Sequence, residues 1–359
     1  MSHWIDQIEQ RDAIAEQAGV GPIALDTEFI RERTYYPKLA LVQLRACNGE
    51  EQLVDPVALP ESGTLGPLLQ GGAVKIMHSP GEDLQAFRHG WNLIVGPVFD
   101  TQLAAALVGL GAGKSYQALV EDLLGVHLEK GETRSDWLHR PLTAAQCHYA
   151  AEDVRYLHEV HAILESRLQA LGRSDWLRQD CARLVDAARD DTLDANPHLA
   201  SRAAQRMSPE AQIRLRRLLL WRELAARRRD KPRSWILDNE LVVQLALKPL
   251  SRSDFEALLD RYRHSPRHGR DAVWDELVRP FDESERAMPL AREPDPSWRE
   301  PLKAMRDVVA RHAAELDIPE GLLCAKRHLE ALLAERSWPA ALDNWRRAIL
   351  HDDVMRYLP

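Results

Sequence analysis

Four carboxylates and one phenol, spread over about 130 positions, are the groups in this chain best suited to act together. They are Asp26 and Glu28 in Leu25-Asp26-Thr27-Glu28-Phe29, Asp83 in His78-Ser79-Pro80-Gly81-Glu82-Asp83-Leu84, and Tyr149 with Asp153 in Tyr149-Ala150-Ala151-Glu152-Asp153. Four carboxylates gathered by a fold repel one another unless divalent cations sit among them. Two Mg²⁺ or Mn²⁺ ions about 4 Å apart relieve that repulsion, and such a pair suits cleavage of a phosphodiester.

The spacings fit elements that would aim these groups. Asp26 and Glu28 lie two apart, so on a strand both side chains share a face and can reach one metal. Tyr149 and Asp153 lie four apart, so on a helix they share a face. The aspartate can hold a metal there while the phenol positions the attacking water. Asp83 stands one turn into a helix that follows a strand. Each motif alone also has a plain structural reading. These are two solvated acids at a strand end, a surface Asp near a core Tyr, and a dipole-favoured acid in a first helical turn. Asp-x-Glu recurs at 238–240 and 254–256, both in helical surface or cap settings. Tyr-x-x-x-Asp occurs once.

The elements needed to carry these groups are legible in the first half. Strand-like runs at 22–26, 39–45 and 51–55, with the turn Asn48-Gly49, make an antiparallel meander. A further strand over 73–78 leads into a helix over 81–89. A short strand at 98–100 leads into a helix near 101–110. Apolar spacing of 3.6 residues predicts helices over 115–124, 143–171 and 174–190. A mixed sheet flanked by helices is an α/β layer architecture. Beyond the polar stretch 190–197 the chain reads as helical throughout, opened by the Ser208 cap and Pro209 of a helix reaching about Arg229. A second break falls near 289–296. At 359 residues, two or three domains are expected. The boundaries read as 1–200, 201–288 and 289–359.

Charge is unevenly distributed over this layout. Residues 1–200 hold 17 Lys and Arg against 29 Asp and Glu, and residues 201–359 hold 30 against 26. Residues 201–235 alone hold 11 basic and 3 acidic side chains, which fits either a nucleic-acid contact or a solvated helix face. The four cysteines include no Cys-x-x-Cys pair, which argues against a zinc site or a disulfide framework. No apolar run approaches the ~20 residues of a membrane span, and Ser2–Gln7 carries no apolar signal core. A soluble cytoplasmic protein is expected. Gly111-Ala112-Gly113-Lys114-Ser115 imitates the end of a phosphate-binding loop, but position 108 is valine and the segment follows a helix. Nucleotide triphosphate binding is therefore not expected, and Ser115 reads as a helix cap.

With their flanks, these segments resemble the bacterial ribonuclease D family, within the DEDDy group of 3′→5′ exonucleases. Leu25–Phe29 running into Arg31-Glu32-Arg33-Thr34-Tyr35-Tyr36-Pro37-Lys38-Leu39 resembles the first exonuclease motif. His78-x-x-x-Glu82-Asp83-Leu84 resembles the second. Arg134-Ser135-Asp136-Trp137-Leu138-x-Arg140-Pro141-Leu142, continuing to Tyr149–Val154, resembles the third. The resemblance covers residues ~20–160 and implies a ribonuclease H-like α/β domain followed by two all-α HRDC modules. It implies that Asp26, Glu28, Asp83, Tyr149 and Asp153 are catalytic, and that the four acids bind two divalent ions, Mg²⁺ or Mn²⁺. The implied substrate is RNA with a free 3′ end, tRNA precursors and other small structured RNAs among them. Thr27, between two of the acids, is a candidate for contact with the nucleic acid. Phe29 and His78 lie beside acids, where contact with the terminal nucleotide and simple packing are both open. Arg227, Arg228, Arg229, Lys231 and Arg233 are candidates for gripping the RNA backbone. A 3′→5′ exonuclease acting on DNA and an inactive nucleic-acid-binding protein are the alternatives.

Overall fold

The computed structural model describes residues 2–17, 21–47, 49–129, 131, 135–263 and 265–358. Asn48 of the expected turn and Arg134 of the third motif lie outside the described residues. By packing, the chain forms two compact units. One comprises Met1–Ile30, Pro37–Asp190 and Asp295–Pro359, and the other Arg31–Tyr36 with Asp191–Pro294.

The first unit is built on a six-stranded mixed sheet in the order β1-β4-β3-β2-β5-β6. Its strands are β1 His3–Ile5, β2 Ile23–Ile30, β3 Lys38–Ala46, β4 Gln52–Val54, β5 Lys75–Met77 and β6 Val98–Asp100. The meander β2–β3–β4 is antiparallel, as expected, and β5 joins β2 in parallel. The edge strand β1, parallel to β4, was not expected. Three residues are too short to show a period.

Strand alternation sends the two sheet faces into different environments. Leu25, Val42 and Leu44 pack beneath Leu84 and Phe87 of the helix Gly81–Gly90. On the other face, Leu41 and Leu53 pack against Ala150 and Ala151 of the helix Ala144–Arg155. Asp26 pairs with Gln43 and Glu28 with Leu41 across the β2–β3 ladder. Directly opposed residues of an antiparallel pair share a face, so both acids emerge beneath the helix that carries Tyr149 and Asp153.

That helix was expected to run unbroken from 143 to 171. Instead it stops at Arg155, and a second helix, Leu157–Ala170, begins after Tyr156. The cause is a phenol inserted into the ladder. The Tyr116 hydroxyl donates to the Glu152 carbonyl at 3.2 Å and accepts the Tyr156 N–H at 3.1 Å. A side chain placed between the i and i+4 partners breaks a helix at that turn. No local pattern around 156 could signal it, because Tyr116 lies forty residues away.

The C-terminal helices, expected as a third body, share a core with the sheet domain. Met305, Leu329 and Leu350 belong to one apolar cluster with Leu157, Leu164 and Leu177. Arg346 grips Asp180 through two guanidinium nitrogens at 2.7 and 2.8 Å, and both side chains are buried. The rings of Trp176 and Trp345 stack with centroids 4.3 Å apart. A helix hairpin with so large an apolar face gains more by burying it on the helices Leu157–Ala170 and Ser174–Arg189 than by closing on itself. By packing, the two compact units divide at 190/191 and 294/295, near the sequence breaks at 190–197 and 289–296.

The second unit is all-α. Ser208 accepts the Ala211 N–H and Pro209 opens the long helix Pro209–Arg229, as expected. Leu215 and Leu218 of this helix pack on Leu241, Leu245 and Phe255. Its Arg217 is paired with Glu285 in a buried contact of 2.5–2.6 Å. Of the two other Asp-x-Glu pairs, Asp238 caps a helix and Asp254 sits in a first turn.

Candidate active site

The loop before Asp83 is shaped by its neighbours. Ser79 takes the left-handed conformation, φ 56°, which a non-glycine residue adopts only when held there. Its N–H donates to the Asp100 carboxylate at 3.0 Å, and the same oxygen caps the next helix by accepting from Gln102 at 2.8 Å. Asp83 then enters the first turn, largely buried, where the Thr27 hydroxyl donates to it at 2.5 Å. Thr27, expected at the nucleic acid, thus has its hydroxyl committed to orienting a carboxylate.

Tyr149 and Asp153 are set by the start of their helix. Thr143 and Gln146 form a reciprocal capping box, with contacts of 2.9 and 3.2 Å. Just upstream, Arg140 forks onto Asp55 at 2.6 and 2.8 Å and donates to the Ala40 carbonyl at 2.7 Å, fastening the lead-in loop to the sheet. The Tyr149 hydroxyl donates to the Asp153 carboxylate. Gly131 lies flat against the Tyr149 ring. A Cβ at Gly131 would stand 1.9 Å from Tyr149 Cδ2, so only glycine lets the backbone pass there.

The electrostatics bind the five groups into one site. Burial, then the charges of Asp83, Asp153 and Glu28, push the Asp26 carboxyl well above its ordinary range. Burial, then Asp153 and Asp83, raise Glu28 to about 9. Asp83 rises to about 6 and Asp153 to about 7, burial being the first cause in both. Asp26, Glu28 and Asp153 keep some accessible surface, yet the protein around them is dense enough to strip most of their hydration. Burial and the charges of Asp153, Glu28 and Asp26 drive the Tyr149 phenol well above its usual value, so it is a neutral donor.

None of the four acids forms an ion pair with a basic side chain among the described residues. Four oxygen donors with no internal counter-charge fit a hard divalent cation. Among the described residues, no three His, Cys, Asp or Glu side chains are gathered closely enough to cage an ion. The fit therefore rests on the chemistry and shared field of the set rather than on a preformed cage.

Other expected contacts are spoken for. With burial holding His78 down to about 4, the ring is neutral. Its Nε2–H donates to the Lys114 carbonyl at 3.1 Å, and Nδ1 accepts the Thr101 hydroxyl at 2.9 Å. His78 is thus a strut rather than a free ligand. Phe29 packs part of its ring on the sheet core and leaves the rest accessible. In the helical unit, Glu223 binds Arg227, Arg233 and the Tyr35 hydroxyl, and its carboxyl falls to about 2 despite burial. Arg227 also holds Asp191 at 2.9 Å. Two of the five basic candidates are therefore neutralised by this network. Arg228, Arg229 and Lys231 are exposed and unpaired among the described residues. The imitation phosphate loop carries a Ser115 cap, as expected, and its Lys114 ammonium pairs with Asp122.

One residue escaped the sequence reading. Gln43 is fully buried opposite Asp26, and neither amide atom has a hydrogen-bond partner among the described residues. Its only advance signal was a polar residue inside the apolar run Leu39–Leu44.

Comparison with known proteins bears on this arrangement. A 3′-5′ exonuclease family model matches residues 2–169, which contain all five groups. A ribonuclease D of Xanthomonas oryzae pv. oryzae is 47% identical over 362 residues, covering 100% of this chain and 99% of the relative. A ribonuclease D of Pseudomonas paraeruginosa is 36% identical, covering 90% of this chain and 89% of its own. The crystal structure of Escherichia coli RNase D, described as an exoribonuclease involved in structured RNA processing, superposes with a TM-score of 0.86 at 26% identity. That match covers 100% of this chain and 98% of the other. Full-length likeness to these relatives, joined to a largely desolvated acid cluster with a phenol on one member, makes the chain a member of the ribonuclease D family of 3′-5′ exonucleases.

Proposed function

We propose that this 3′→5′ exoribonuclease removes nucleoside 5′-monophosphates from the free 3′ end of RNA at the site formed by Asp26, Glu28, Asp83, Tyr149 and Asp153. The observation that carries this reading is four acids, Asp83 buried and the others part-buried, within one another's field, with a neutral phenol donating to one of them. Asp26, Glu28, Asp83 and Asp153 would hold two divalent cations, Mg²⁺ or Mn²⁺. Such ions, when bound, lower the pKa of the attacking water and stabilise charge on the departing 3′-oxygen.

The protein's own groups do the rest. Tyr149, kept protonated and donating to Asp153, presents its phenol oxygen to accept a hydrogen bond from the water and so orient it. Thr27 fixes the Asp83 carboxylate. Gly131 and the capping box fix the phenol. The exposed Arg228, Arg229 and Lys231 are suited to the phosphates of an RNA chain. We assign residues 201–288, supported by an apolar core of their own, to a first HRDC module, and 289–359, a helical segment that from Asp295 onward packs on the sheet domain, to a second.

Precursors of tRNA and small structured RNAs are the proposed substrates, supported by the description of the Escherichia coli relative. Among the described residues no helix is long and apolar enough to cross a membrane, which is consistent with action in the cytoplasm. The test is paired substitution. Asp26→Asn should abolish turnover with the fold intact, and Tyr149→Phe should slow it at least tenfold with KM little changed. Near-normal cleavage by Asp26→Asn, or unaltered kinetics in Tyr149→Phe, would refute the assignment.

A further inference from the structure

We propose that the helical unit contains a second nucleotide site, a cavity that takes a nucleoside 5′-phosphate and shares no residue with the acidic centre. The cavity has a volume of about 460 Å³, within the range of small-ligand sites. Its walls are apolar, with Leu245, Leu250, Trp274 and Phe281 among them. Every charged residue lining it is basic: Arg214, Lys248, Arg279 and Arg286.

Arg214 makes this more than an apolar dent. Projecting from the helix Pro209–Arg229, it is only 6% exposed. Its Nε–H donates to the Ala246 carbonyl at 2.9 Å. Its two remaining nitrogens have no hydrogen bond or ion pair among the described residues, and the side chain lines the cavity. The nearby carboxylate Glu285 is engaged by Arg217 and Arg279, the latter at 3.1 Å. The carboxylate whose charge reaches Arg214 is Glu210, one turn back on the same helix and exposed, but it makes no hydrogen bond or ion pair to the guanidinium among the described residues. An anion in the cavity would supply the directly bonded counter-charge that this buried group lacks. Two free N–H₂ groups on a planar fork match two phosphate oxygens.

Lys248 and Arg286 are exposed at the cavity, also without ion pairs among the described residues. They add positive field where a phosphate would enter. Aromatic and aliphatic walls suit the flat face of a base. The ligand is therefore an organic phosphate with a planar apolar body. That this is a nucleotide, rather than another such anion, rests on the RNA reading above. Its source is either an unstacked nucleotide within an RNA chain or the free mononucleotide that trimming releases.

Binding is measured by calorimetry on the full-length protein in EDTA, where hydrolysis is stopped and the acidic centre, without metal, offers a phosphate no cation. The probes are AMP, adenosine, inorganic phosphate and a 3′-blocked oligoadenylate. AMP should bind at one site, with adenosine and phosphate each at least tenfold weaker. Arg214→Gln should weaken AMP at least tenfold. The double variant Lys248→Ala/Arg286→Ala, on exposed positions that leave the core intact, should weaken it at least threefold. Displacement of AMP by the oligonucleotide assigns the site to a nucleotide within RNA. AMP binding without displacement assigns it to the free mononucleotide. Equal binding of AMP by the wild type and the double variant, or phosphate binding as tightly as AMP, overturns the proposal. Trimming of labelled RNA by the wild type with Mg²⁺ is measured separately. Absence of trimming refutes the exonuclease reading whatever the calorimetry gives.

Discussion

Replacing Asp153 by asparagine should destroy activity and, without divalent cations, stabilise the protein. The Asp153 carboxyl is raised from 3.8 to about 7, first by burial and then by neighbouring acids. Ionising it in the folded state therefore costs about 4 kcal/mol relative to the unfolded chain. Asparagine removes that charge but also weakens the bond from Tyr149 to a neutral one, a loss of about 1 kcal/mol. A net gain of about 2–3 kcal/mol corresponds to several degrees in Tm for a domain of this size. The sign follows from the two titrations. Below about 4 both states are protonated and the variant has no advantage. As pH rises, the unfolded chain releases its proton through 3.8 and the folded one only through about 7, so the wild type loses stability across that window. Above it the advantage of Asp153→Asn is constant. Scanning calorimetry in EDTA at pH 4, 6 and 8 measures this directly. Mg²⁺ should then raise the wild-type Tm and move the variant less. A variant less stable than wild type at pH 8, or equally favoured at pH 4, would refute the electrostatic account of the site.

Two further outcomes are expected. Gly131→Ala should displace the Tyr149 ring, because a methyl cannot stand 1.9 Å from Cδ2, and should cut kcat at least tenfold with little change in KM; wild-type kcat would show that the ring position is immaterial. Neutralising Arg228, Arg229 and Lys231 together should flatten the slope of log binding constant against log salt by about 2 for single-stranded RNA, whereas Arg227→Gln should instead lower stability through Glu223. Filter binding across a salt series checks the first effect and thermal denaturation the second.

The parts of this molecule legible in its sequence are those set by local periodicity. Alternation placed Asp26 and Glu28 on one strand face, and the four-residue spacing placed Tyr149 over Asp153. The antiparallel meander and the Ser208–Pro209 helix start were equally readable. What escaped depends on residues distant in the chain. Tyr116 breaks a helix forty residues on, Glu223 captures Arg227 and Arg233 through a fold-dependent network, and Asp100 moulds the Ser79 loop. The basic run at 227–233 looked uniform as text, yet the helix turns some of it onto Glu223 and Tyr35 and leaves the rest in solvent. The packing of the C-terminal helices was hidden for a similar reason. Helical texture reports that an apolar face exists, whereas Arg346 on Asp180 and Trp345 on Trp176 decide what covers it.

The most direct test of the central claim uses a 5′-labelled tRNA precursor with a short single-stranded 3′ trailer. It is incubated with Mg²⁺ or EDTA, beside a 3′-blocked copy and a copy with a DNA trailer. The account predicts a Mg²⁺-dependent ladder that shortens one nucleotide at a time from the free 3′ end of the RNA, with the blocked copy intact. Trimming in EDTA, internal cleavage of the blocked copy, or trimming of the DNA trailer in preference to RNA would contradict it.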